Sequence, residues 1–332
     1  MSERRRFPSW IIPVALAAVL LYFSLRGVEW RRVGEIIAGA RWRYLVAMIA
    51  VALLSSLGRA TRWRILLNAT EAKVGLSTVF LAMMAGYLGN LVLPARAGEL
   101  VRTFLISRHS ALTKTYVLTT ALGERVMDAI ALILFSSLAL LGVEQKPTWM
   151  AGIARSLAAL AIVSAAGVAV LPYIHGWIER VLKALPLPVV LRDKLLGLLE
   201  QVILGLRAFH NPGRLAAFVA LTPMIWLGDT CGALLTAKAL GLSLSFPVTL
   251  LLLCALGLGS ALPSTPGYVG VYQFVAVKVL GPFGISPTDA VAFVIVLQAL
   301  GSVMVIGLGT LGMIRLGGTL NARALEADVV KN

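Results

Sequence analysis

Apolar residues in this chain come in blocks rather than in alternation, and most polar residues fall between the blocks. Seven stretches are apolar enough to sit in a membrane, and an eighth is implied by a break late in the chain. Together they cover approximately 10–25, 44–57, 76–93, 117–142, 151–173, 215–240, 247–262 and 288–314. Several approach the roughly 20 apolar residues that a spanning helix needs. Two regions carry a different pattern. Between 26 and 43, Trp30, Val33, Ile37 and Ala40 recur at helical spacing among five arginines, which predicts an amphipathic helix lying in the interface. In 174–214, Ile178, Val181, Leu182 and Leu185, then Leu195, Leu198, Leu199 and Val202, mark helical faces. Pro186-Leu187-Pro188 divides that region into two surface helices.

Two blocks end as no simple spanning helix does. Residues 79–93 hold no charge and then run into Leu93-Pro94-Ala95-Arg96-Ala97-Gly98-Glu99-Leu100-Val101-Arg102. Leu262-Pro263-Ser264-Thr265-Pro266-Gly267 interrupts the chain after an equally apolar run. Irregular backbone and charge at membrane depth are tolerated only inside protein or beside a wet cavity. Paired breaks of this kind in matching halves point to a transporter's binding site.

Composition narrows the class. Of 332 residues, 59% are hydrophobic and 14% charged, with a mean hydropathy of +0.88. A soluble surface needs about a quarter of its residues charged, so the expectation is a polytopic membrane protein. The net charge of +15 then reads as loops facing an anionic cytoplasmic leaflet, not as nucleic-acid binding. With the N-terminus inside, the pieces 1–10, 58–76, 95–116, 174–214 and 315–332 hold twenty Lys and Arg, against six in 26–43 and 143–150. That asymmetry places both termini in the cytoplasm of a bacterial-type inner membrane, with the arginines of 26–43 running against the rule. No small-residue cleavage site follows residues 10–25, so they read as a retained first helix. Cys231 and Cys254 lie in apolar stretches without disulfide or metal spacing. His109, His175 and His210 fall in surface regions away from the carboxylates, and no hydrolase, zincin or phosphate-loop motif is present. Neither a metal nor a cofactor is expected.

The same topology makes 76–116 a re-entrant hairpin from the cytoplasm and 247–280 one from outside, each between two spanning helices. Leu88-Gly89-Asn90 precedes Leu93-Pro94 and Gly98, and Leu258-Gly259-Ser260 precedes Leu262-Pro263 and Gly267. The expected fold is therefore all-α, with about six spanning helices, two re-entrant hairpins in an inverted repeat, and amphipathic interfacial helices. Its parts would be 1–43 (first helix and interfacial helix), 44–142 (first helix–hairpin–helix repeat), 143–214 (connecting and amphipathic helices), 215–315 (second, inverted repeat) and 316–332 (tail).

Three polar groups could carry chemistry. Arg96, Glu99 and Arg102 surround the first break; Glu99 and Arg102 are three apart and share a face of a helix starting near Gly98. Glu124 and Asp128, one turn apart with Arg125 between them, lie inside an apolar run. There each costs a few kcal/mol unless paired, and Arg96 and Arg102 are the obvious partners. Ser264, Thr265, Gly267, Tyr268, Gly270, Tyr272 and Gln273 form a neutral group suited to sugar or phosphate oxygens. These charges equally fit a structural ion-pair network, and Asp229, Lys278 and Gln298 fit helix–helix contacts.

Pro94-x-Arg96-x-Gly98-Glu99-x-x-Arg102, Glu124-Arg125-x-x-Asp128 and Pro263-x-x-Pro266-Gly267-x-x-Gly270 together resemble the lysylphosphatidylglycerol synthase transmembrane-region family of flippase-like membrane proteins. The resemblance spans about 10–315 and implies lipid translocation. Bifunctional members join this region to a cytosolic aminoacyl-transferase domain. With about 17 residues after its last helix, this chain is expected to lack that domain and not to be an enzyme. The reading is a flippase for a phospholipid, glycolipid, polyprenyl-linked or hopanoid lipid. Arg96, Glu99, Arg102, Glu124, Arg125, Asp128, Ser264, Thr265, Tyr272 and Gln273 would bind substrate; Pro94, Gly98, Pro263, Pro266, Gly267 and Gly270 would act as hinges. An enzyme modifying a lipid head, or a scaffold recruiting a lipid-synthesis enzyme through 174–214, remains an alternative.

Overall fold

Helix signals in the chain translate into twelve α-helices among the residues described by the computed structural model, which are 11–69, 73–93, 97–143, 148–207, 209, 211–260 and 266–317. They are α1 (Ile11–Leu25), α2 (Trp30–Ala38), α3 (Trp42–Leu67), α4 (Leu76–Val92), α5 (Gly98–Arg108), α6 (Lys114–Leu141), α7 (Thr148–Ala184), α8 (Val189–Arg207), α9 (Pro212–Ala239), α10 (Phe246–Gly259), α11 (Val271–Leu280) and α12 (Pro287–Arg315). No strand occurs among the described residues.

Local chemistry sets several boundaries. Asn211 and Ser286 cap α9 and α12 by accepting from Arg214 N and Asp289 N, and a proline fills the first turn of each. Asn68 ends α3 by bonding both the amide and the carbonyl of Val74. The cap of α5 comes from another helix: Asn90 Oδ1 accepts from Gly98 N at 3.0 Å.

Helix lengths sort the elements. α3, α9 and α12, with 26, 28 and 29 residues, are long and apolar enough to cross a membrane. At 1.5 Å per residue each exceeds the roughly 30 Å of hydrocarbon. α4, α5, α10 and α11 hold only 17, 11, 14 and 10 residues. The last three fall well short of that thickness. The short helices pack pairwise, α4 on α5 and α10 on α11. A Cβ added to Gly86 would meet Arg102, and one added to Gly89 would meet Gly98 and Val101. The first pair therefore runs antiparallel.

Two cores result. Trp63, Val79, Met83, Met84, Val101, Leu105, Ile106 and Val117 join α3–α6. Ala233, Leu252, Ala276, Leu280, Phe293 and Val294 join α9–α12. The halves meet chiefly where α3 packs on α9, α4 on α12 and α10 on α6. Small residues allow these crossings. A Cβ on Gly228 would stand 2.5 Å from Ser55 Oγ, and one on Gly312 would collide with the carbonyl of Leu81. Large apolar side chains such as Leu54, Leu138, Val303 and Ile314 remain on the outside, as lipid contact requires.

Two details differ from the sequence reading. The first surface helix of 174–214 is not separate. It continues α7, whose 37 residues make a rod of about 55 Å, longer than any hydrocarbon core. The break expected at 186–188 does separate α7 from α8. Residues 58–67 are not loop but the last turns of α3, so Arg59, Arg62 and Arg64 leave the count of twenty loop cations. The predicted interfacial helix exists as α2, with Val33 buried and Trp30 exposed, and it packs against α12.

Candidate functional site

The first half carries a buried charge cluster on α3, α5 and α6, and the second half adds one carboxylate to it, Asp229 of α9. Glu124, 4% exposed on α6, holds two arginines at once: Arg62 Nη2 at 3.1 Å from one carboxylate oxygen and Arg102 Nη1 at 3.1 Å from the other. Arg62 also pairs with Asp128 at 2.7 Å, donates to Thr222 Oγ1 of α9, and lies over the Phe218 ring. Arg102 pairs with Glu99 at 2.5 Å and lies over Trp63, whose indole N–H donates to Thr120. Glu99 in turn accepts from Nε and Nη2 of Arg125 at 3.1 and 2.7 Å. Arg59 and Asp229 pair across the α3–α9 crossing. A buried charge is tolerable only when paired and hydrogen-bonded. Here each carboxylate has at least one guanidinium, and Arg62 and Arg102 are also covered by an aromatic face.

The second break is built differently. Gly267 and Tyr268 both take left-handed backbone angles, with φ of 71° and 60°. That geometry is ordinary for glycine and costly for tyrosine. Tyr268 stacks on Tyr272, ring centroids 5.0 Å apart and planes within 10°. Gln298 of α12 donates to the Gly267 carbonyl and accepts from Gln273 Nε2 at 3.0 Å, while Gln273 Oε1 accepts from Gly270 N at 2.7 Å. Gln273 is thus spent on bracing its own loop. Gly270, with φ of 90°, lies against the backbone of Ala17 in α1.

Between the breaks lies a cavity of about 310 Å³. Tyr87, Asn90 and Leu91 at the end of α4 form one wall; Gly267, Tyr268 and Tyr272 form the opposite one. Gln298, Ser302 and Val305 of α12 close a third side, and Arg125 reaches in from α6. Close approach is direct here, since a Cβ on Gly267 would stand 3.2 Å from Leu91 Cδ1. Arg125 is the only charged residue among those described in the lining, and 46% of its side chain is exposed. Its chemistry is that of a forked cation offered to an oxyanion.

The family model of the lysylphosphatidylglycerol synthase transmembrane region matches residues 10–309, which include both breaks and every charge of the cluster. The chain belongs to this family. It is similar to a UPF0104 membrane protein of Pyrococcus horikoshii, 30% identical over 134 residues. That alignment covers 40% of this chain and 39% of the relative, so the two correspond over well under two thirds of their lengths. The family match and the three long apolar helices identify a multi-pass membrane protein. What matches is the membrane region of that family, over residues 10–309.

Within this family member the predicted residues divide. Glu99, Arg102, Glu124, Arg125 and Asp128 come together as one cluster. Tyr272 and Gly267 line the cavity, and Gly270 and Gln273 support it. Gly98 is a contact point: a Cβ there would collide with the Gly86 carbonyl and with Asn90. Pro94, Arg96, Pro263, Ser264 and Thr265 lie outside the described residues. Pro266 opens a short 3-10 turn that ends at Tyr268. One pairing needs correction. Asp128 takes Arg62 as its guanidinium and not Arg102, because α3 carries Arg62 against α6 while Arg102 is already shared between Glu99 and Glu124; Arg96 lies outside the described residues. Arg59, Arg62 and Gln298 carry much of the site and were not assigned to it from sequence. Arg59 and Arg62, three apart at the end of an apolar run, shared a helical face, and Gln298 was a lone amide in an apolar helix. Neither His109 nor His175 joins the cluster, and no group of three or more metal-ligating side chains occurs among the described residues.

Proposed function

We propose that this protein moves a lipid with a polar or anionic head between the two leaflets, with the head passing through the cavity between the breaks while the chains stay in hydrocarbon. The observation that carries the reading is that cavity: a mainly apolar wall with one exposed guanidinium and a few hydroxyl and amide groups, set between the end of α4, just before the first break, and Gly267 and Tyr268 of the second. A volume near 310 Å³ suits a head and excludes a diacyl tail.

The packing pattern supports an inverted repeat as its frame. Exchanging α3 with α9, α4 with α10, α5 with α11 and α6 with α12 maps α4–α12 packing onto α10–α6, and α5–α6 onto α11–α12. In transporters so built, one repeat rocks against the other around a central site. The short paired helices would then be re-entrant hairpins entering from opposite sides, with both termini in the cytoplasm of an inner membrane. Arg62, Arg102, Glu124 and Asp128 hold the frame, and Arg125 meets the head. Arg96, placed by the sequence beside Glu99, would add a second cation at the first break.

The test is a sidedness assay in proteoliposomes with acyl-labelled lipids, followed by mass spectrometry of the same lipids. Transport predicts that label crosses the bilayer with lipid mass unchanged, and that Arg125→Gln abolishes the crossing. A changed mass would mean head modification instead, and an absence of crossing would end the proposal.

A further inference from the structure

We infer that the head accepted by this cavity is a net anion and that heads bearing a cationic group are excluded; the inference rests on the transport reading and narrows its substrate. The four carboxylates of the buried cluster, Glu99, Glu124, Asp128 and Asp229, each face an arginine, and none of them lines the cavity. Among the described residues, the ionic group that does line it is Arg125. A cationic head seated there would meet the guanidinium of Arg125, while the carboxylate paired with it, Glu99, lies outside the lining and is already shared with Arg102; like charges repel more there than in water.

The polar side chains point the same way. Asn90 spends its carbonyl oxygen on the Gly98 amide, so its Nδ2 donors are what it can offer a ligand. Gln298 has both ends engaged by Gly267 and Gln273. Arg125 commits Nε and Nη2 to a single oxygen of Glu99, and its Nη1 makes no hydrogen bond to a described residue. What remains is a set of donors without a charged acceptor, which fits phosphate or another oxyanion. The tyrosines do not form a cage for a quaternary ammonium. Tyr268 and Tyr272 lie face to face and turn a ring face on each other, whereas a cage directs several ring faces at the cation.

Anion binding also leaves no charge stranded. A bound oxyanion can take Arg125 from Glu99, because Glu99 keeps Arg102 at 2.5 Å. The helix α5, which carries Glu99, thereby loses one of its two ionic ties to α6 and keeps the other, Arg102 to Glu124. The head itself thus competes for one of the ties that join the first broken segment to its neighbour.

The experiment measures binding separately from movement. Purified full-length protein in detergent is titrated with dihexanoyl phosphatidylglycerol (anionic), dihexanoyl phosphatidylcholine (zwitterionic), the lysyl ester of the former (cationic) and soluble glycerol phosphate. Binding is read as ligand-induced thermal shift, and the long-chain, acyl-labelled counterparts of the three lipids are followed in proteoliposomes. The anionic lipid should bind about tenfold or more tightly than the cationic one, the scale of one charge-assisted hydrogen bond. Arg125→Gln should erase the difference, and Arg125→Lys should keep the preference at lower affinity. Cationic lipid binding as tightly as anionic, or anion binding unchanged in a monodisperse Arg125→Gln protein, would overturn the inference. Anion selectivity with no lipid crossing would sustain it while removing the transport reading. Glycerol phosphate binding as tightly as the anionic lipid would sustain the anion site but assign it to a soluble ligand.

Discussion

Glu124→Gln and Arg125→Gln neutralise adjacent residues and should fail in opposite ways. Glu124 sits between two guanidiniums that are themselves 1% and 2% exposed, with one oxygen on each. Glutamine keeps one acceptor but turns an amide donor toward the other arginine, removing the charge that both share. Breaking a buried ion pair costs about 3–5 kcal/mol. Arg62 retains Asp128 and Thr222, and Arg102 retains Glu99, so the expected loss lies at the lower end, about 3 kcal/mol. Arg125 is the contrary case. Its side chain is 46% exposed, and its partner Glu99 keeps another arginine. An exposed pair of this kind contributes about 0–1 kcal/mol. Thermal unfolding of the two purified variants in detergent, compared with lipid movement in proteoliposomes, separates the roles. Glu124→Gln should lower the melting temperature by several degrees. Arg125→Gln should melt close to the parent yet lose transport. Equal destabilisation by the two substitutions would refute the division into frame and site, as would a thermally silent Glu124→Gln.

Gly98→Ala should cost about 1–3 kcal/mol by overpacking, because the new methyl meets the Gly86 carbonyl, which is backbone and cannot swing away; fluorescence-detected size exclusion would register the loss of folded protein. Arg59→Met and Asp229→Leu should each destabilise more than the two together, with a coupling of about 0.5–3 kcal/mol in a double-mutant cycle; strict additivity would mean that the pair across α3 and α9 contributes nothing. Gln298→Leu strands Gln273 Nε2 and the Gly267 carbonyl, a penalty of about 1–3 kcal/mol. It should raise hydrogen exchange around residues 266–273, and unchanged protection there would remove Gln298 as the brace of the second break.

Much of this arrangement can be read from residue order because membrane helices declare themselves by length and their breaks by proline and glycine. The pairing of Glu99 with Arg102 follows from helical spacing alone. So does the need of Glu124 for partners, since an unpaired carboxylate in an apolar run is too costly to leave alone. What stays hidden is long range. Arg62 finds Thr222 at a separation of 160 residues, and Arg59 finds Asp229 at 170. A cation at the end of an apolar run fits a headgroup contact as well as a buried partner, and only the packing of α3 on α6 and α9 decides between them. The boundary near residue 173 misleads for a similar reason. Polarity changes there, but the 3.6-residue period does not, so the backbone carries α7 on without a stop.

The same separations impose a timetable on biogenesis. Arg62 and Glu124 are 62 residues apart, and at about 5–20 residues per second of synthesis their meeting is delayed by roughly 3–12 s. For Arg59 the wait for Asp229 is roughly 9–34 s at the same rate. Through that interval Arg59, and at first Arg62 as well, lacks the counter-charge that it has in the folded protein. Until α6 and then α9 arrive, these two side chains near the end of α3 have the headgroups as their available partners. A nascent chain arrested before α9 would be left with Arg59 lacking the carboxylate that it pairs with in the folded protein.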